Sequence, residues 1–210
     1  MPVLSAFFLL ALSVASCKKN DDTNSGSGTA ATTIKITDAP SDDVNVSGAF
    51  VTISEIRVDG QAVQGFTKTT IDLAAYQNGN TKTIGTFNLE GKTYSSISFV
   101  LDFDADATGN APGCYVLTTG NVKHKLTTTS NVITVTKNYT LQAAASNSIV
   151  ADFDLRKMIV AQSGNPADQY DFATSAELQN DVRLVVESNS GTISGTLTDA
   201  VSGSGKVVAY

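Results

Sequence analysis

The sequence is poor in the residues that most often announce a reaction. It has no tryptophan, one histidine, two cysteines, two methionines and four prolines in 210 residues. One histidine and two thiols fall short of the four-ligand sets that zinc takes, so no metal centre of that kind is expected. Any Ser-His-Asp or Cys-His site would have to use His124, and no nucleophile-elbow motif surrounds a serine. Charge is sparse as well: 14 Lys and Arg stand against 20 Asp and Glu, giving a net charge of −6. With no basic stripe to meet phosphates, nucleic acid is excluded as a partner. No glycine-rich loop leads from a strand into a helix, so nucleotide binding has no support. No apolar run approaches the ~20 residues that span a bilayer, and no long segment carries the helical period.

What is present concentrates first at the N-terminus. Val3 to Ala15 is nearly all apolar or small, the length of a secretory h-region and too short to cross a membrane. Val14-Ala15-Ser16-Cys17 then resembles a bacterial lipobox, which implies cleavage before Cys17 and diacylation of its thiol. Two or three acyl chains at ~0.8 kcal/mol per buried CH₂ hold where one would not. The alternatives are an ordinary signal peptide with a coincidental cysteine, or a buried strand. Met1-Pro2 supplies no Lys or Arg, so the start reads as misplaced or clipped. Residues 1–16 are thus read as a lipoprotein signal peptide. Residues 17–31, from Cys17 through the Ser/Gly/Asn/Thr-rich stretch to Ala31, are read as a flexible tether. Lys18-Lys19 followed by Asp21-Asp22 resembles a surface-export signal of some Gram-negative lipoproteins. The expected location is the bacterial cell envelope, at the outer membrane, on its surface or periplasmic face. With Cys17 taken by lipid, Cys114 has no disulfide partner and is read as a small buried hydrophobe.

The rest reads as short strands separated by turns. Thr32 to Thr37 alternates, and Asp38-Ala39-Pro40 ends it. Ala49 to Val58 changes phase: Val51 and Ile53 share one face, and Ile56 and Val58 rejoin it only if an extra residue near Ser54-Glu55 forms a bulge. A return strand is expected over Ala62 to Phe66, a strand over Thr69 to Leu73, and a helical turn over Ala74 to Gln77. Tyr94 to Phe103 alternates most clearly, with Ile97, Phe99, Leu101 and Phe103 inward. Asn147 to Leu155 repeats the pattern, with Ile149, Ala151, Phe153 and Leu155 inward and Asp152 and Asp154 outward. Shorter strands are read at 114–118, 122–126, 131–136, 169–174 and 182–187. The expected fold is all-β, an antiparallel β-sandwich of immunoglobulin- or transthyretin-like form after the signal peptide and tether.

These residues resemble domain-of-unknown-function family 4382. The resemblance rests on Ile36-Thr37-Asp38-Ala39-Pro40, Val51-Thr52-Ile53 with Ile56-Arg57-Val58, and Ile71-Asp72-Leu73. It continues through Gln77-Asn78-Gly79, Gly91-Lys92-Thr93-Tyr94, Asp152-Phe153-Asp154 and Val182-Arg183-Leu184-Val185. It implies a β-sandwich over residues 32–187 with no assigned activity. Residues 188–210 are read as a linker and a partial module: Ile193 to Asp199 resembles the first strand of a carboxypeptidase-regulatory-like domain, pairing with Lys206 to Tyr210. That hairpin is too small to bury a core. It reads as a truncated gene product, or else as docked on the main domain.

Four polar groupings are weighed for chemistry. Asp104-x-Asp106-x-Thr108-Gly109, preceded by Asp102, has the spacing of a calcium-loop start, but Tyr115 stands where a bidentate Glu belongs, so a solvated acidic loop is the reading. Asp152 and Asp154, two apart on one strand, could act as acid and base or equally be surface ion-pair residues beside Arg156 and Lys157. Cys114 and His124 fall in consecutive strands and could be neighbours. Tyr76, Tyr94, Tyr115, Tyr139 and Tyr170 could stack on sugars but read better as half-buried packing. The expectation is therefore a non-enzymatic envelope lipoprotein, with Cys17 as lipidation site and no catalytic residues, metal or cofactor. Its membrane contact is the lipid, and its partner would be a glycan or another envelope protein. The alternatives are a carboxylate-dependent extracellular hydrolase and a strand-pairing, pilus-like assembly module.

Overall fold

A computed structural model describes residues 28–39, 42–162 and 170–191. The signal peptide, Cys17, most of the tether, Pro40 and the hairpin from Thr192 onward lie outside the described residues.

Among the described residues, thirteen strands form two packed sheets and one small ribbon. The first sheet has the order β13-β10-β1-β5, formed by β1 (Thr29–Ala39), β5 (Lys82–Glu90), β10 (Ser146–Asp154) and β13 (Val182–Val186). The second is seven-stranded and built on the long β2 (Val46–Val58). Its other strands are β3 (Gln61–Ala62), β4 (Thr69–Asp72), β6 (Thr93–Leu101), β7 (Tyr115–Thr118), β8 (Lys123–Lys125) and β9 (Val132–Thr140). β11 (Ile159–Ala161) and β12 (Tyr170–Phe172) make the ribbon. The all-β sandwich follows from the alternation. In β1, Ile34 and Ile36 are fully buried, as are Ile149, Ala151 and Phe153 in β10 and Ile97 and Phe99 in β6. Phe99 and Phe153 meet edge to face across the two layers, with centroids 5.4 Å apart.

The bulge is where the phase change in β2 required it. The register against β6 shifts between Ile53 and Glu55, so Ile53, Ile56 and Val58 all reach the core. β2 also changes neighbours along its length. Phe50 pairs at once with Tyr115 and Asp72, and Ile53 with Leu101 and Thr69. β7 and β6 therefore share one edge of β2 end to end, with the handover near Thr52.

Four details of the secondary structure and its pairing differ from the sequence reading. β1 and β10 run parallel, with Thr37 opposite Asp152 and Ala39 opposite Asp154. A parallel neighbour needs a long crossover, and here it carries the whole second sheet together with β5. The expected return strand shrinks to Gln61–Ala62, because Gly65 turns away with φ +84°. A helix, α2 (Ser175–Asp181), precedes β13 and is started by a capping box in which Thr174 and Glu177 exchange side-chain-to-backbone bonds. Asp154 is not outward: only 4% exposed, it sits where β10 turns into a single-turn helix, α1 (Leu155–Met158), and the alternation ends.

Candidate functional site

The parallel pair brings together the two acidic motifs that are far apart in sequence. Asp38, next to the end of β1, lies opposite Phe153 and beside Asp152 and Asp154 of β10. Asp38 is 5% exposed; its Oδ1 accepts the N–H of Leu155, the first residue of α1, at 3.1 Å, and its Oδ2 has no hydrogen-bond partner among the described residues. Burial, with Asp152 and Asp154 adding repulsion, pushes its pKa up to about 8. The Asp38 N–H donates to Tyr76 O, and the Thr37 hydroxyl lies 3.0 Å and 2.7 Å from the carbonyls of Tyr76 and Asn80. Asn78 and Gly79 both take positive φ in that turn, which Asn and Gly tolerate best. Asp38 thus ties three motifs together: the end of β1, the Gln77-Asn78-Gly79 turn and the start of α1.

The neighbouring carboxylates are occupied. Asp152 Oδ2 accepts from Arg183 at 2.6 Å. Asp154 is bridged by Arg156 and Lys157, both at 3.3 Å; burial works to raise its pKa, but these cations hold it below the usual carboxylate range. Among the described residues no group of three His, Cys, Asp or Glu side chains is arranged to hold a metal ion.

The acidic loop after β6 is closed on itself in the same way. Asp102 Oδ2 accepts from Lys68 Nζ at 2.8 Å, and its Oδ1 accepts the N–H groups of Asp104 and Ala105. The lysine and these backbone donors bring its pKa down to about 2. Asp106 Oδ1 accepts from Thr108 N–H, Thr108 Oγ1 and Asn110 N–H, while Asp104 reaches out to Lys125 at 2.9 Å. The carboxylates face different partners rather than one point, so the calcium-like spacing corresponds to turn-stabilising contacts.

Beneath the loop lies the handover on β2. Thr52 N–H donates to Cys114 Sγ at 3.4 Å, Asp102 N–H donates to Thr52 O at 2.9 Å, and Cys114 Sγ donates to Asp102 O at 3.4 Å. Burial pushes the thiol pKa up to about 12, so Cys114 is a packed, protonated thiol and not a nucleophile at neutral pH. His124 is instead edge-on to Tyr170, with centroids 5.6 Å apart. Gly113 is required by close approach. A Cβ there would fall on the Asp102 carbonyl oxygen and within 2.7 Å of the Ala105 oxygen, both backbone atoms that cannot swing away. Gly113→Ala should therefore cost about 2 kcal/mol, read as a lowered urea midpoint with unchanged slope.

The tyrosines are dispersed. Tyr94 stacks on Tyr139 and Tyr115 on Phe50, and all but Tyr76 of the five are buried. Tyr170 borders a hollow beside His124 and Asp171, and the aromatic side chain in the cleft next to the acidic loop is Phe103, which sequence reading placed in the core. It is half-buried, tilted against Phe172 at 6.0 Å, and lines a cleft of about 680 Å³. The cleft gathers three distant stretches: Ser54 at the β2 bulge, residues 101–104 after β6, and residues 125–131 after β8. Its walls carry the hydroxyls of Thr127, Thr128 and Thr129 and the amide of Asn131.

A two-sheet β-sandwich with its signature acidic motifs joined at one parallel strand pair is the class of domain these features define. Residues 29–173 match the family described as domain of unknown function (DUF4382), and the chain belongs to that family. The matched residues end before α2 and β13, although β13 completes the first sheet. Comparison with curated proteins and with solved structures gives no match to this chain. Among the described residues no helix is long and apolar enough to cross a membrane.

Proposed function

We propose that the chain is a lipid-anchored cell-envelope protein that displays a non-enzymatic β-sandwich binding domain. The observation that carries this reading is the order Val14-Ala15-Ser16-Cys17, a polar tail, and then a folded β-domain. Acyl chains on Cys17 hold the chain at the membrane, and the tail gives the domain reach. The location is the outer membrane, and the partner is a glycan or another envelope protein.

Display is favoured over hydrolysis because the carboxylates at the β1–β10 junction are committed. Asp152 and Asp154 carry basic partners, and Asp38 is buried and capping α1. A carboxylate-dependent glycoside hydrolase needs two carboxyl groups facing a substrate between them. A strand-pairing role is disfavoured at β13, where Lys137 Nζ occupies the Leu184 carbonyl at 2.7 Å, a charged block of the kind that protects sheet edges.

The test is metabolic labelling with a palmitate analogue in a Gram-negative host. The wild-type chain should take up label and fractionate with membranes, and Cys17→Ser should lose both. Label retained by Cys17→Ser, or no label on the wild type, would sink the anchor.

A further inference from the structure

We infer that the cleft between Phe103 and the Thr127–Thr129 segment binds a neutral oligosaccharide. The inference rests on the display reading and names the class of ligand displayed to. The volume of about 680 Å³ falls within the ~300–1,000 Å³ usual for ligand sites. What distinguishes it is the lining. Ligand pockets are predominantly apolar, whereas this one presents hydroxyls, an amide and an ion pair around one aromatic ring. An apolar ligand would strip water from the lone pairs and N–H that those groups still present to solvent. A ligand bearing many hydroxyls would replace the lost water bonds one for one.

Charge selects among polar ligands. Two acids border the cleft, Asp102 and Asp104, and each is met by a lysine: Lys68 at 2.8 Å and Lys125 at 2.9 Å. The wall is balanced, and the chain as a whole carries −6, so nothing draws in a polyanion and no surplus of acid waits for a cation.

The lining groups are also held in place, which lowers the ordering cost of binding. Thr127 donates through both its N–H and its hydroxyl to Asp171 Oδ1, at 2.7 Å and 3.3 Å. The hydroxyls of Thr128 and Thr129 both meet Ser175 Oγ, at 3.3 Å and 2.8 Å. Asn131 Nδ2 donates to Leu101 O at 3.1 Å. Each threonine oxygen keeps a lone pair for a sugar hydroxyl. Phe103, braced by Phe172, offers its ring to the C–H face of a pyranose.

The experiment is an NMR titration of the full-length chain carrying Cys17→Ser with cellotriose, chitotriose and maltotriose, and with trigalacturonate as charged comparator. At least one neutral trisaccharide should saturate, with amide shifts concentrated at 101–104 and 125–131. Phe103→Ala and the exposed-residue variant Lys125→Ala should each weaken that binding about tenfold, about 1.4 kcal/mol. Arg183→Ala, on the outer face of the other sheet, should leave it unchanged. Lys125→Ala keeps the test intact if Phe103→Ala unfolds. Absence of saturable shifts with all three neutral sugars, tighter binding of trigalacturonate, or shifts mapping elsewhere would overturn the inference. If the sugars fail while the same chain co-sediments with isolated envelopes, the cleft is refuted and display stands. If the sugars bind but the wild-type chain takes no lipid, the cleft stands and the anchor falls.

Discussion

Phe153→Ala should cost about 3–5 kcal/mol, a large share of the ~5–15 kcal/mol that holds a typical domain together. Phe153 is fully buried, and its ring edge meets Phe99 across the interior. Removing it takes away the transfer free energy of the ring and its aromatic contact, and leaves a void between two sheets. Neither sheet can close on that void easily. β10 is fixed by a parallel neighbour on one side and an antiparallel one on the other, and β6 is held between β2 and β9. The melting temperature should fall by roughly 6–20 °C at 2–4 °C per kcal/mol. Asp152→Ala, one residue earlier on the outer face, loses a surface ion pair with Arg183 and should cost under about 1 kcal/mol. Equal losses for the two variants in thermal melts would show that the inter-sheet contact is not where the stability lies.

The contrast between Phe153 and Asp152 was legible in the sequence because a strand turns its side chains to opposite faces at every step. Ile149, Ala151 and Phe153 could be assigned to the core without knowing what they touch. The bulge in β2 was legible for the same reason, since Val51, Ile53, Ile56 and Val58 can share a face only if one residue is added. What alternation does not encode is direction. The parallel β1–β10 pair has the same period as an antiparallel one, so the meeting of Asp38 with Asp154 was invisible although both motifs were in view. α2 was hidden by its length: seven residues bury only Leu178 and Asp181, too few to establish a helical period. The signal that could have found it is the capping-box spacing Thr174-x-x-Glu177 ahead of Leu178. The cleft was beyond reach altogether. Its three contributors lie at residues 54, 101–104 and 125–131, and Phe103 continues the inward alternation of β6 as though it were core.

Asp38→Asn should abolish the pH dependence that Asp38 imposes on the fold. In the unfolded chain Asp38 ionises near pH 4, whereas in the folded domain burial raises its pKa to about 8. Between those values the unfolded state has released a proton that the native state still holds. The native state binds more protons, so this group makes stability fall as pH rises, by up to about 1.4 kcal/mol per pH unit. Below pH 4 the two states are protonated alike and the group contributes no slope. Asparagine is neutral throughout, nearly the same size, and its Oδ1 can still accept the Leu155 N–H that Asp38 now receives at 3.1 Å. The charged groups around the site, Asp152, Asp154 and Arg156, are unchanged by the substitution. Asp102 and Asp154, whose pKa values are lowered, lose stability only as pH falls below the ordinary carboxylate range, so their effect lies in a different window. Urea unfolding of wild type and Asp38→Asn at pH 4, 6 and 8 should therefore give curves that start close together and separate. The variant should gain up to about 4 kcal/mol over the wild type between pH 5 and 8. Parallel pH profiles would mean that Asp38 ionises in the folded domain as it does in water. Asp38→Ala provides the complementary reading: it also abolishes the slope, but loses the cap on α1 and should be less stable than Asp38→Asn at every pH, by about 1 kcal/mol. The difference between the two variants isolates the hydrogen bond, and the difference between Asn and Asp isolates the buried charge. Together they separate what the Asp-Ala-Pro aspartate contributes as a structural acceptor from what its ionisation takes away.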